Sequence, residues 1–199
     1  MKSKIATFFH KHPYEIFIPQ GCEKLIIGTL PPPRLSTKDL RERDVDFCYG
    51  SCDNLLWPCL AEIFQEDFLY DNSLKAVEQR IRFLAKIKVG ICDIVASCYR
   101  EKVNASDLGM TGVRLRNIFQ QLKLHPSLRV LLFTGGNSKN GPEYFFRKQA
   151  REFGVSLKLL KTTQPRYNEF FYDGRSYLTI SMISPSNAAN MAIGSTRLY

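Results

Sequence analysis

With 199 residues, 44% of them hydrophobic, the chain is long enough to bury one good core, and no stretch reads as a linker, repeat or low-complexity tract, so a single domain over residues 1–199 is expected. No uncharged apolar stretch reaches the roughly 18 residues of a membrane span, and Met1 to His10 lacks the apolar length of a secretion signal, which together exclude a transmembrane or exported protein and predict a soluble, cytoplasmic one. Lys and Arg number 28 against 19 acidic residues, and the formal charge of +9 fits either a solvated basic surface or a polyanionic partner.

The first strand signal is the apolar run Leu25 to Thr29, which stops on Gly28 and then on Pro31, Pro32 and Pro33. A glycine followed by rigid prolines makes a fixed loop at a strand's C-terminal end, where open α/β sheets build their sites. Two dozen residues on, Tyr49-Gly50-Ser51-Cys52-Asp53-Asn54 leads into an apolar segment bearing the only tryptophan, Trp57. A helix is predicted over Asn54 to Gln65 with Pro58 in its first turn. A second is predicted behind Ser73, where Leu74, Val77, Ile81, Leu84 and Ile87 recur at helical spacing.

Val89 to Val95 reads as a strand carrying Asp93 inside an apolar run, and such an acid needs a partner: a backbone amide, Arg100 or a ligand. The polar, basic segment Ser97 to Lys102 is then suited to face a phosphate backbone. A helix over Val113 to Leu122 and a strand over Arg129 to Thr134 follow. Thr134 to Gly141 is Gly-rich but matches no phosphate-loop spacing, so it reads as a turn before a helix from Pro142 to Phe153. Val155 to Lys161 suggests an edge strand, and Tyr177 to Ile183 the last strand. It enters Ser184-Pro185-Ser186-Asn187, small polar residues able to offer amides to a phosphate strand or simply to cap a helix.

Near-continuous apolar strands alternating with helices imply an α/β fold: a three-layer α/β/α sandwich around a central, mostly parallel four-stranded sheet. Parallel order brings the loops after Thr29, Val95, Thr134 and Ile183 to one sheet edge. Six cysteines contain no CxxC pair and read as reduced, mostly buried thiols, and His10, His12 and His125 sit near prolines with no ligand pattern, so no metal is expected.

The ordered set Gly28-Thr29-Leu30-Pro31, Asn54-Leu55-Leu56-Trp57-Pro58, Asp93 through Ser97-Cys98-Tyr99-Arg100-Glu101, and Ser184-Pro185-Ser186 resembles the uracil-DNA glycosylase superfamily, nearest to its hypoxanthine-excising and mismatch-specific branches. The resemblance runs over nearly the whole chain. It implies a monofunctional enzyme of base-excision repair that flips a deaminated base, hypoxanthine or uracil, out of DNA and hydrolyses its N-glycosidic bond without metal or cofactor. It implies a catalytic role for Asn54, and a base pocket formed by Gly28, Thr29, Leu30, Pro31, Tyr49, Gly50, Ser51, Trp57 and Asp93. DNA contacts fall to Arg100, Lys102, Ser184, Pro185, Ser186 and Asn187. The implied partner is double-stranded DNA, with single strands as a further form, and the expected state is a monomer away from membranes. Leu30 stands where many relatives carry Asn or Asp, Asp93 where others carry Asn, and Met182 and Ile183 replace a His and a Pro of some branches. Leu30 keeps open the alternative of a catalytically weak or inactive nucleic-acid-binding relative. An unrelated α/β hydrolase lacks support, there being no G-x-S-x-G elbow.

Overall fold

Three consecutive aliphatic residues, Leu25, Ile26 and Ile27, leave a strand with no face for solvent, so it must run between two layers. A computed structural model of the chain describes residues 7–101 and 107–185. In it Leu25 and Ile27 pack into one buried cluster and Ile26 into another, on opposite faces of the same strand.

In chain order the first half comprises β1 (Phe8–Lys11), β2 (Lys24–Gly28), α1 (Pro33–Thr37), α2 (Leu56–Phe64), α3 (Leu74–Lys86), β3 (Val89–Asp93) and β4 (Val95–Arg100). The second half comprises β5 (Met110–Leu115), α4 (Ile118–Leu124), β6 (Val130–Phe133), α5 (Pro142–Glu152), β7 (Lys158–Lys161), β8 (Arg166–Tyr172) and β9 (Arg175–Ser181). The large sheet has the order β3-β2-β6-β9-β8-β7. Its first four strands are mutually parallel, with Ile26 opposite both Ile91 and Leu132, and Leu132 opposite Ile180.

The sheet is therefore six-stranded rather than four-stranded. The four expected strands form its parallel part, and β8 and β7 extend it antiparallel. A tight turn makes this possible: Asp173 and Gly174, at φ 52 and 73, join β8 to β9 in the left-handed geometry that matches strand twist.

A second, three-stranded antiparallel sheet, β1-β4-β5, has no counterpart among the expected elements. It arises because the run from Val89 to Val95 breaks after Asp93. Ile94 and Val95 donate their amides to the carbonyls of Gly28 and Thr29, which carries β4 away beside the loop that follows β2. The helix expected from Val113 is corrected as well. Val113 to Leu115 lie in β5, paired to β4, and α4 begins only after Asn117, whose side chain accepts the Gln120 amide at 2.9 Å.

Helices cover both faces of the parallel strands. On one, α4 and α5 deliver Ile118, Phe119, Leu122, Phe145 and Phe146 against Leu25, Ile27 and Phe133. On the other, α2 and α3 deliver Leu56, Trp57, Phe83 and Leu84 against Ile26 and Ile91. The start of α3 at Ser73, whose hydroxyl accepts the Ala76 amide at 3.2 Å, follows the expected cap. No helix among the described residues is long and apolar enough to cross a membrane.

His10 in β1 is 2% exposed and bonds Ser36 Oγ through Nε2 at 2.9 Å. Burial, then the charge of Arg100 and the neighbouring His12, lower its pKa from 6.5 to about 4. Between those values the unfolded chain takes up a proton that the folded one refuses. Stability should therefore fall as pH drops from 6.5 towards 4, by up to roughly 1.4 kcal/mol per unit. In urea unfolding at pH 7 and pH 5, His10→Gln should show a smaller acid loss than the parent chain, and equal losses would assign the acid sensitivity elsewhere.

Candidate active site

The parallel strands end together: Gly28 lies opposite Asp93, and Phe133 opposite Ser181. Gly28 is obligatory at this edge, because a Cβ there would sit 2.2 Å from Asp93 Oδ1 and 2.3 Å from the Tyr49 hydroxyl. The space that a side chain would take is used by Tyr49, which crosses the strand end and shares a 2.8 Å hydrogen bond with Thr134 Oγ1. Tyr49 holds φ 58, an uncommon backbone state for a residue with a side chain. Burial, reinforced by the nearby Asp93 carboxylate and opposed by the Thr134 hydrogen bond, pushes its phenol well above the ordinary value, so it stays protonated.

Asp93 finds its partner in His12 and not in Arg100. His12 Nε2 lies 2.8 Å from Asp93 Oδ2, and both residues are buried. Arg100 is 1% exposed, within β4 and opposite Phe8. Its guanidinium is thus withdrawn from the surface on which a phosphate contact was expected. Lys102, Ser186 and Asn187 lie outside the described residues.

The loop between α1 and α2 is held by a buried ion pair. Arg34 Nε and Nη2 donate to the two oxygens of Asp44 at 2.8 and 3.0 Å, and the same Nη2 reaches Ser51 Oγ at 2.7 Å and Asp53 Oδ2 at 3.1 Å. The amides of Cys52 and Arg41 also donate to Asp44, at 2.8 and 3.0 Å. Burial alone would raise the Asp44 pKa, but these donors, Arg34 foremost, hold it well below the ordinary carboxylate value. Gly50 closes the loop, since a Cβ there would lie 1.9 Å from the Val45 carbonyl oxygen.

Asn54 follows directly. Its Oδ1 accepts the Leu56 amide at 2.9 Å in a turn just ahead of α2, which fixes the side chain and leaves its Nδ2–H free of any bond within that turn. Beside it, the Leu55 amide donates to the Pro185 carbonyl at 2.8 Å, so the loop after β9 is latched to the start of α2. That loop is braced from beneath by Glu143 in α5, wholly buried, which accepts from Ser181 Oγ at 2.6 Å, from Arg147 Nε at 2.7 Å and from Arg166.

A pocket of about 230 Å³ opens on the α2–α3 side of the loop, with Tyr49, Gly50, Ser51, Asn54 and Trp57 on its walls. Trp57 is 1% exposed and donates Nε1–H to the Cys48 carbonyl at 2.9 Å, so it supplies the packed back of this wall. Gly28 and Asp93 gather around the Tyr49 hydroxyl instead, with Thr29, Leu30 and Pro31 running on from β2. Leu30 packs against the core of the opposite face. The expected site residues thus split into two groups joined by Tyr49. His12, Thr134, the Arg34–Asp44 pair, Glu143 and Arg80 were not singled out from the sequence; His12 and Thr134 act through partners 81 and 85 residues away, and nothing in the local pattern marks the others as buried. Among the described residues no group of three His, Cys, Asp or Glu is arranged to hold a metal.

No protein-family model matches the chain, and no curated protein matches its sequence. The fold is similar to the solution NMR structure of a Methanosarcina acetivorans protein provisionally described as a uracil DNA glycosylase, at 19% identity over 96% of this chain and 92% of that one, with a TM-score of 0.59. At this identity the likeness establishes a shared α/β fold and leaves the chemistry to be argued from the site.

Removing Asp44 strands the Arg34 charge and frees two loop amides. Asp44→Ala should lower the unfolding free energy by about 3 kcal/mol and disturb the fluorescence of Trp57, and a variant with parental urea midpoint and emission would rule out this anchoring role. Since the Asp44 pKa is depressed from 3.8, its contribution should be complete above that pH and lost as pH falls below it.

Proposed function

We propose that the chain is a monofunctional DNA glycosylase that hydrolyses the N-glycosidic bond of a deaminated base flipped out of DNA. The observation that carries this reading is the latch between Leu55 and Pro185, which brings the Ser184-Pro185 loop beside Asn54, while Tyr49 links the Asn54 pocket to the strand edge where Gly28 and Asp93 lie. Those are the segments whose order in the sequence resembles the glycosylase superfamily. The fold shared with a protein provisionally described as a uracil DNA glycosylase adds support.

In this reading Asn54 acts as a donor. Its carbonyl is engaged by the Leu56 amide, so the Nδ2–H remains to stabilise negative charge on the departing base. We place hypoxanthine ahead of uracil, in keeping with the hypoxanthine-excising branch, because Leu30 brings no polar group to orient water and excision must lean on the leaving base. The partner is double-stranded DNA, with single strands as a second form; the +9 charge and the Ser184-Pro185 loop serve the phosphate backbone. The protein acts as a single-domain cytoplasmic monomer with no cofactor. A second reading, a weak or inactive nucleic-acid-binding relative, is favoured by the packing of Leu30 into the core, which leaves no water-holding side chain at that position.

Asn54→Asp separates the donor from the acceptor, because aspartate can accept the Leu56 amide as asparagine does but has no N–H. Both Asn54→Asp and Asn54→Ala should reduce single-turnover excision of deoxyinosine about a hundredfold, with Asn54→Asp retaining parental thermal stability. Full activity in Asn54→Asp would reduce the residue to an acceptor, and no release of either base by the parent chain would favour the binding-only reading.

DNA affinity should fall linearly on a log–log plot against salt, with a slope of about 0.9 for each duplex phosphate neutralised. A binding constant unchanged between low and physiological salt would argue against a backbone-driven complex.

A further inference from the structure

The pocket beside Asn54 has at its wall a positive charge that the surrounding protein leaves unbalanced. Arg80 of α3 is wholly buried, and only its Nη1 is used, donating to the carbonyls of Leu69 and Ala76 at 2.8 and 2.9 Å. Among the described residues its Nε and Nη2 have no hydrogen-bond partner, and no carboxylate lies within ion-pair distance of it. Glu78, two residues away on α3, pairs with Arg82, and Asp71, whose charge reaches Arg80 without touching it, is engaged by the Ser73 amide at 2.8 Å.

What surrounds the guanidinium is aromatic: the rings of Trp57, Phe68 and Tyr70 stand 5.0, 5.4 and 5.2 Å from its central carbon. Ring faces attract a cation but accept no N–H fork as a carboxylate would. Burial lowers its pKa to about 10, which leaves it charged at neutral pH.

The same pocket carries a second guanidinium, Arg43, exposed at its rim, and hydroxyl and amide donors from Ser51, Asn54 and Tyr70. Among the described residues no acidic side chain lines it. Its volume of about 230 Å³ is below the range of sites for drug-sized molecules, so its guest is small. A small pocket with two cations, several donors and no acid among the described residues selects an anion that accepts many hydrogen bonds.

We propose that this pocket is a phosphate-binding site, in which Arg80 from within and Arg43 from the rim hold the phosphate group of a nucleotide. The site does not rest on the glycosylase reading, which supplies only the choice of nucleotide probes.

The test uses the full chain and the fluorescence of Trp57, the one tryptophan, which adjoins Arg80. It is titrated with 2′-deoxyinosine 5′-monophosphate, with deoxyinosine and with inorganic phosphate. The monophosphate should bind about tenfold tighter than the nucleoside, and inorganic phosphate should displace it. Arg80→Met and Arg43→Ala should each cut that preference to about twofold or less. Arg43 is exposed, so Arg43→Ala decides the matter if Arg80→Met fails to fold.

Equal binding of nucleotide and nucleoside, absence of any binding, or a preference unchanged in Arg43→Ala would overturn the proposal. Displacement of a deoxyinosine duplex by inorganic phosphate, lost in Arg43→Ala, would assign the phosphate to the DNA strand. Displacement of the mononucleotide alone would assign it to a free nucleotide. Excision with no phosphate preference would remove this site and leave the glycosylase standing, and a phosphate preference without excision would do the reverse.

Discussion

The ion pair between Arg34 and Asp44 decides whether the site exists at all. Between Lys38 and Leu55 the chain runs without regular secondary structure, yet it must deliver Tyr49, Ser51 and Asn54 to fixed positions. Long irregular segments in compact proteins are commonly functional, and ordering one costs backbone entropy at every residue. Here the order comes from a carboxylate buried at the loop's centre and satisfied by four donors, two from one guanidinium and two from the main chain. A buried pair of this kind gives little net stability over an apolar substitute, but few other arrangements of the loop could satisfy it. Its contribution is therefore one conformation among many, which is what a preformed pocket requires.

Glu143 does for the opposite lip what Asp44 does for this one. It sits in the first turn of α5, where a negative charge also suits the helix dipole, and it bonds Ser181 at the end of β9. Burial opposes ionisation, yet hydrogen bonds from Ser181, Arg166 and Arg147 prevail and hold its pKa below the ordinary value. Two buried acids thus brace two loops, and between them Tyr49 bridges β2, β3 and β6 at their common edge. The strand ends stay close because Gly28 offers no side chain to keep them apart.

Much of this was legible in the sequence wherever the signal was local. The apolar runs at Leu25, Val89, Arg129 and Tyr177 became the parallel strands. Ser73 capped its helix, and Gly28 with its prolines marked the end of β2 at the edge where the parallel strands stop together. The misses share a cause: tertiary pairing overrode local pattern. Val113 to Leu115 read as helix because their apolar spacing suited one, but β4 stood ready to pair with them. The Asp173-Gly174 turn is a local hairpin signal, and it is what brings β8 back beside β9. Asp93 was read correctly as an acid needing a partner, while its actual partner, His12, lies 81 residues away and no spacing rule reaches it. Arg100 showed only that a sequence lends charge to a segment and says nothing of which way a strand turns its side chains.

The bond from the Leu55 amide to the Pro185 carbonyl joins main chain to main chain. The distance between the two lips of the cleft is therefore indifferent to which side chains occupy these positions, and almost any residue at 55 preserves it. Proline is the exception, having no N–H to give. The rims can consequently drift in sequence, gaining or losing charge and bulk, while the opening between them keeps its width. In such a design, the choice of guest can evolve separately from the aperture through which it enters.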